Sequence, residues 1–284
     1  MTVEQILPYT TAILFTWIIC IIILERYYPF RKGLKILREG FWIDLVWYTI
    51  IQSYFLKIII FEWIIYPIDM TYHITSWNLI SHWPLWCQLL FFLFTHDLYI
   101  YWFHRWQHHN KILWRTHEAH HSGKEVDWLS GSRSHVLEII INQTIEFAPI
   151  ILLGADPLVV PLKAMLDAMF GTWIHANLRF RLGWLGYIIN TPVAHQWHHA
   201  DDKIVFYANY ATKFAFWDHL FGTAVTPDRL PDKWGLPYDY PRDYFVQHAF
   251  SFKRFDEKKL LQYPWFDWYY DIRLKIIRYF FDKK

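Results

Sequence analysis

Residues 96–121 read HDLYIYWFHRWQHHNKILWRTHEAHH and hold seven of the chain's sixteen histidines. Within them, His104-Arg-Trp-Gln-His108 sets two histidines four residues apart. His117-Glu-Ala-His120-His121 sets three at i, i+3 and i+4, and His195-Gln-Trp-His198-His199 repeats that spacing. Positions three and four apart are neighbours on a helix surface, so each box can present imidazoles to a common point. Consecutive residues diverge by about 100° around the axis. His120 and His121, and likewise His198 and His199, are therefore placed to serve two different ions. Neutral imidazole is the commonest metal ligand at physiological pH. Three boxes supply enough nitrogens for two sites of about four ligands each, and the pattern predicts that the boxes meet in space around two metal ions.

The ligand type does not select the metal, since imidazole suits Zn, Cu, Fe and Ni. The two cysteines, Cys20 and Cys87, lie in apolar runs without metal-ligand spacing, which argues against a structural zinc finger. They read as small buried residues. His96 and His109 are open between ligand and neighbouring roles. His73, His82 and His248 read as ordinary loop histidines.

The 284-residue chain is 54% hydrophobic and 21% aromatic, with 19% charged residues. Eighteen Trp and nineteen Tyr fit a bilayer and its interfaces, where these residues collect. A net charge of +2 gives no reason to expect a nucleic-acid partner. The first apolar run ends in LERYYPF rather than at a small-residue cleavage site, so it reads as a retained membrane helix instead of a signal peptide.

Hydropathy predicts an all-α, integral membrane helical bundle of about four to five membrane-embedded helices, carrying a cytoplasmic histidine-rich helical cap. Residues 1–83 form the N-terminal transmembrane helices and loops. Ile6–Leu24 is uncharged and long enough to cross a hydrocarbon core of roughly 30 Å. Arg26, Arg31, Lys32, Lys35 and Arg38 follow and place that loop in the cytoplasm. Phe41–Ile68 and Pro84–Trp102 are the next apolar runs. Residues 84–227 form the histidine-box region. It includes a membrane hairpin at 136–173 that turns at Gly154-Ala-Asp-Pro157, with Asn142, Gln143 and Glu146 keeping the first arm from facing lipid. Residues 228–284 are expected as a cytoplasmic, interfacial tail.

Carboxylates near the boxes can orient ligand imidazoles through the second ring nitrogen. Asp97 and Asp218 lie in apolar surroundings, where an unpaired carboxylate is costly, and both are candidates for that role. Glu118 and Asp201 read as solvated surface charges. Tyr99, Tyr101 and Trp102 read as packing.

With these residues in hand, the sequence resembles the fatty acid hydroxylase/sterol desaturase superfamily of membrane di-iron oxygenases. Its HxxxH, HxxHH and distant HxxHH pattern is met by His104/His108, His117/His120/His121 and His195/His198/His199. DLYIYWFHRWQH, LWRTHEAHHS, NTPVAHQWHH and WDHLFGT resemble the text around those boxes, closest to the sterol-desaturase-like and alkylglycerol-monooxygenase-like branch. By position in that pattern, the resemblance adds His135 and His175 as further ligands, giving ten. His219 stands where many relatives carry arginine.

The resemblance implies two non-haem iron ions, with zinc able to replace them in a purified or crystallised form. It implies O2, a lipid substrate, and hydroxylation or desaturation at the cytoplasmic face. The chain has no haem domain or Cys-rich ferredoxin segment, so a separate donor is expected: a ferredoxin, cytochrome b5 or reductase. A zinc-dependent membrane lipid hydrolase and a non-catalytic metal- or lipid-binding membrane protein are the alternatives. Sterol, fatty acyl and ether lipids stay open as substrates.

Overall fold

The computed structural model describes residues 2–253 and 266–281. The described residues are helical, with isolated β-bridges and no named strand, as the all-α expectation required. Helix α1 spans Val3–Tyr27 and begins at a capping box, in which the Thr2 backbone N–H donates to Gln5 Oε1 at 2.9 Å. This reciprocal cap satisfies two N–H groups that a helix start leaves orphaned. Helix α2 spans Ile43–Tyr72 with wide, π-helical turns over Ile43–Gln52 and Ile59–Ile65. Thr49 and Ser53 hydroxyls donate to the carbonyls of Asp44 and Tyr48, five residues back, in register with the first wide turn. Among the described residues, α1 and α2 are the two helices long and apolar enough to cross a membrane. Cys20, expected as buried, faces outward on α1, and Cys87 is half-buried.

α3 (Leu85–His109) and α4 (Lys111–His121) carry the first two histidine boxes. Asn110 separates them by taking the backbone N–H groups of Ile112 and Leu113 on its side-chain oxygen, so one residue ends α3 and caps α4. The expected hairpin is formed by α5 (Val136–Leu152) and α6 (Val159–His175). Its turn uses Gly154 at φ +69°, where a Cβ would stand 3.1 Å from Asn78 Cα. The position therefore needs both the left-handed backbone and the missing side chain. Gln88 of α3 accepts the Asp156 backbone N–H at 2.7 Å and fixes the turn against that helix. Leu56, Ile60, Phe92, Phe147, Ile150 and Val159 form the apolar core between α2, α3 and the hairpin. Trp17 ties α1 to α6 by donating to Met169 O at 3.1 Å.

The remaining elements cover the histidine end of the bundle. α7 (Pro192–His198) starts at a Thr191 cap, with proline at its first position, where the missing N–H costs nothing. α8 (Phe216–Leu220) and α9 (Tyr244–Lys253) follow. α9 reaches back to α2 and α4, with Tyr244 OH donating to Gln52 Oε1 at 2.8 Å and Ser251 Oγ to Arg115 O at 2.7 Å. The tail also contains α10, Phe266–Phe281. Residues 254–265 and 282–284 of the expected tail lie outside the described residues.

The basic loop packs against the histidine region. Arg31 donates to Lys124 O at 3.0 Å. Arg38 is buried, bridging Asp44 and Asp127 at 2.8 Å each.

Candidate metal centre

Nine of the ten candidate ligands converge. His104, His108, His117, His121 and His198 form one group, and His120, His175, His195 and His199 another. In each group, the ligand atoms all lie within 4.8 Å of one another. The consecutive pairs divide as helix geometry predicts. His121 and His198 join the first group, and His120 and His199 the second.

The ring nitrogens facing away from the groups are largely spoken for. A turn-rich loop aims alternate carbonyls at the first group: Phe206 O takes His108 Nδ1 at 3.2 Å, Ala208 O takes His198 at 2.8 Å, and Tyr210 O takes His104 at 2.9 Å. His117 Nδ1 meets Glu138 Oε1 at 2.9 Å. In the second group, His120 Nδ1 donates to Arg133 O at 3.0 Å and His175 Nδ1 to Gly171 O at 2.8 Å. A nitrogen facing a carbonyl oxygen must carry the proton, which leaves the lone pair on Nε2.

Those lone pairs point inward. The Nε2 atoms of His104, His108, His117, His121 and His198 are buried without a hydrogen-bond partner. In the second group the Nε2 atoms crowd one another, His195 at 2.9 Å from His175 and His120 at 3.3 Å from His175. Burial, reinforced by the neighbouring imidazoles, holds His117, His121, His195, His198 and His199 well below the ordinary histidine range. Unshared lone pairs on neutral rings converging in a buried space repel one another and lack hydrogen bonds. A cation in each group removes both penalties, so the donor set fits two metal ions.

His135 stands apart, which corrects the ten-ligand expectation. Its Nδ1 accepts the Leu137 backbone N–H at 3.1 Å, capping α5, and its Nε2 faces His248 O at 3.3 Å. One nitrogen thus caps α5 and the other faces α9. Asp97 and Asp218 also differ from expectation, since neither meets an imidazole. Asp97 accepts from Thr212 Oγ1, the N–H groups of Lys213 and Phe214, and Trp217 Nε1, at 2.8–3.0 Å. Asp218 accepts the N–H groups of Tyr210 and Ala211 at 2.9 Å. Each pins the loop whose carbonyls orient His104, His108 and His198, so their influence on the ligands passes through backbone. Glu118, expected at the surface, is fully buried beside Arg115 and accepts from Tyr238 OH at 2.7 Å. His109 and His219 lie outside the groups, their rings against Tyr207 and Tyr187 at 4.7 Å.

Sequence reasoning passed over Glu138, which sits in an apolar run 21 residues from its histidine. It also passed over Gly131. A Cβ there would fall 2.6 Å from His175 Nδ1, closer than real Cβ contacts come. Gly131→Ala is expected to push His175 out of the second group. The protein should then retain about half its metal, measured by elemental analysis of purified protein, because the first group shares none of its ligands. Full metal content with unchanged affinity would refute the assignment of His175.

A cavity of about 210 Å³ opens beside the groups. It runs from His104, His117, His120 and His175 past Ile100, Phe103, Phe170 and Ile174. It ends at His96, Glu146, Asp167 and Lys213. Burial opposes the charge on Lys213, but Asp167 and Asp97 overcome it and raise the ammonium above its ordinary range.

Residues 89–223 match the family model described as fatty acid hydroxylase. Human alkylglycerol monooxygenase is 34% identical over 127 residues, 45% of this chain and 28% of that protein. Rat methylsterol monooxygenase 1 is 30% identical over 131 residues, 45% of this chain and 43% of that protein. Human lathosterol oxidase is 27% identical over 158 residues, 53% of this chain and 49% of that protein. The match thus spans less than half the length of each of these relatives. No solved structure matches the chain. All nine converging histidines fall inside the matched stretch, so the likeness to the fatty acid hydroxylase family rests on the part of the chain that holds both groups.

Proposed function

We propose that the protein is an O2-dependent lipid oxygenase of the membrane, holding two iron ions in its two histidine groups. The observation that carries this reading is the set of buried, unpartnered Nε2 atoms converging beside a largely apolar cavity. Bound iron supplies the redox chemistry that couples reduction of O2 to attack on a C–H bond. The chain's own residues do the rest. Nine neutral imidazoles bind the ions, and the carbonyls of Phe206, Ala208 and Tyr210 fix the ring orientations. Glu138 polarises His117. Ile100, Phe103, Phe170 and Ile174 line a passage that excludes water and lays a hydrocarbon beside the ions. Electrons come from a separate donor protein.

The same reading places the chain in the bilayer with its metal end in the cytoplasm. α1 exposes Leu7, Ile13, Phe15, Ile19 and Ile23 along its length, a face suited to lipid. The basic loop from Arg26 to Arg38 packs at the histidine end, and such loops lie on the cytoplasmic side. α3 and the α5–α6 hairpin complete the membrane-embedded set, with His96, Asn142, Glu146 and Asp167 turned toward the cavity.

Lipid profiling under 18O2 tests the activity. Cells carrying the protein are expected to accumulate a lipid with one added 18O, or one short of two hydrogens, that cells lacking it do not make. A zinc hydrolase would instead change ester-linked lipids whether or not O2 is present, and identical lipid profiles would favour a non-catalytic binding protein.

A further inference from the structure

Three helices repeat one interval. On α3, His96 precedes His104 by eight residues. On α6, Asp167 precedes His175 by eight. On α5, Glu146 follows Glu138, the partner of His117, by eight. Eight residues advance a helix by about 12 Å, so a second polar cluster sits that far down the cavity from the histidine groups. His96, Glu146 and Asp167 each bring a ligand atom within 4.8 Å of the others.

The cluster contains its own cations. Lys163 Nζ lies 2.6 Å from Glu146 Oε1 and 2.5 Å from Asp167 Oδ2, and Lys213 Nζ lies 3.0 Å from Asp167 Oδ1. Lys213 also faces Asp97 at 3.7 Å, and Lys163 occupies the point where a third metal would have to sit.

One group is left over. Lys163 donates to His96 Nδ1 at 3.1 Å, so the imidazole proton is on Nε2. That N–H is buried without a partner, on a side chain 9% exposed that lines the cavity. Glu146 Oε2 stands 3.9 Å from it, too far for a hydrogen bond and close enough for one oxygen on the cavity side to reach both. A hydroxyl fits there, accepting from His96 and donating to Glu146. A carboxylate or phosphate would face Glu146 and Asp167 with both lysines already paired. A hydrocarbon would leave the N–H unsatisfied, at a cost.

We propose that His96 and Glu146 bind the hydroxyl group of a long-chain alcohol whose far carbons reach the metal centre. A methylene chain laid along Ile100, Phe103, Phe170 and Ile174 spans from this cluster to the histidine groups. The oxidised carbon then lies remote from the hydroxyl instead of beside it. This inference rests on the lipid-oxygenase reading for its substrate, but its test does not require turnover.

The test is equilibrium binding of tritiated 1-dodecanol to the purified full chain in phosphatidylcholine nanodiscs, with dodecanol, dodecane and dodecanoate as competitors. Dodecanol is expected to compete at least about tenfold better than the other two, the value of one satisfied buried N–H. His96→Phe, which keeps a ring but loses the donor, should erase the preference over dodecane, and His96→Gln, which restores an N–H, should recover part of it. Dodecane or dodecanoate competing as well as dodecanol in the wild-type protein overturns the proposal without any variant. So does an undiminished preference in a folded His96→Phe protein. A chain without O2-dependent activity that still prefers dodecanol would sink the oxygenase reading alone. An active oxygenase without that preference would sink only this site.

Discussion

Replacing His198 by alanine is expected to remove one metal ion, and replacing its neighbour His199 to remove the other. The two residues are consecutive, yet their nitrogens belong to different groups. His198 Nε2 points among His104, His108, His117 and His121, while His199 Nε2 lies 3.1 Å from His195 Nε2. The two losses should differ in kind. The first group keeps four imidazoles after His198→Ala, enough for a weakened tetrahedral site. The second keeps only three after His199→Ala and should empty first as free iron is lowered. His121→Ala and His120→Ala should pair with them in the same way, His121 with His198 and His120 with His199. Activity in all four is expected to fall by more than about a hundredfold, since loss of an outer partner of a ligand already costs 10–100-fold. Metal content per chain, titrated against a chelator, reads the outcome. Equal loss of both ions in every variant would mean that the groups act as one site.

That division could be read from the sequence because metal chemistry restricts both residue type and spacing. The boxes at 104–108, 117–121 and 195–199 needed only helical periodicity to be sorted. The hairpin at Gly154 was likewise visible, since two apolar runs flank a glycine that the turn requires. Roles that depend on distant backbone were not visible. Asp97 and Asp218 were correctly expected to need partners, but those partners are N–H groups of the 210–214 stretch, which only the folded chain brings beside them. His135 matched a family position, yet its Nδ1 is committed to the Leu137 N–H, a local capping use that histidine spacing does not reveal. The eight-residue interval linking His96, Glu146 and Asp167 to the centre was in the sequence. It carried no meaning until α3, α5 and α6 were known to share one cavity.

The largest effect on stability is expected away from the histidines, at Asp44. This carboxylate lies at the start of α2, fully buried, and holds two guanidinium groups. Arg133 binds it through Nε at 2.7 Å and Nη2 at 3.0 Å, and Arg38 through Nη2 at 2.8 Å. Without Asp44, Arg38 keeps Asp127 at 2.8 Å, while Arg133 is left with the Ser122 hydroxyl at 3.0 Å and no carboxylate contact among the described residues. Breaking a buried ion pair from one side typically costs about 3–5 kcal/mol, because the surviving charge stays desolvated. Asp44→Ala should therefore lower thermal stability in detergent by about that amount. It should also weaken the second metal group, since the carbonyl of Arg133 takes His120 Nδ1 and moves with its side chain. Replacing Asp44, Arg38 and Arg133 together by leucine or methionine should restore part of the stability, because an apolar set of similar volume avoids the desolvation penalty. It should not restore the affinity of the second group, whose carbonyl anchor would then rest on packing alone. A single Asp44→Ala variant that unfolds within about 1 kcal/mol of the parent, with both ions in place, would show that the cluster neither stabilises the fold nor positions His120.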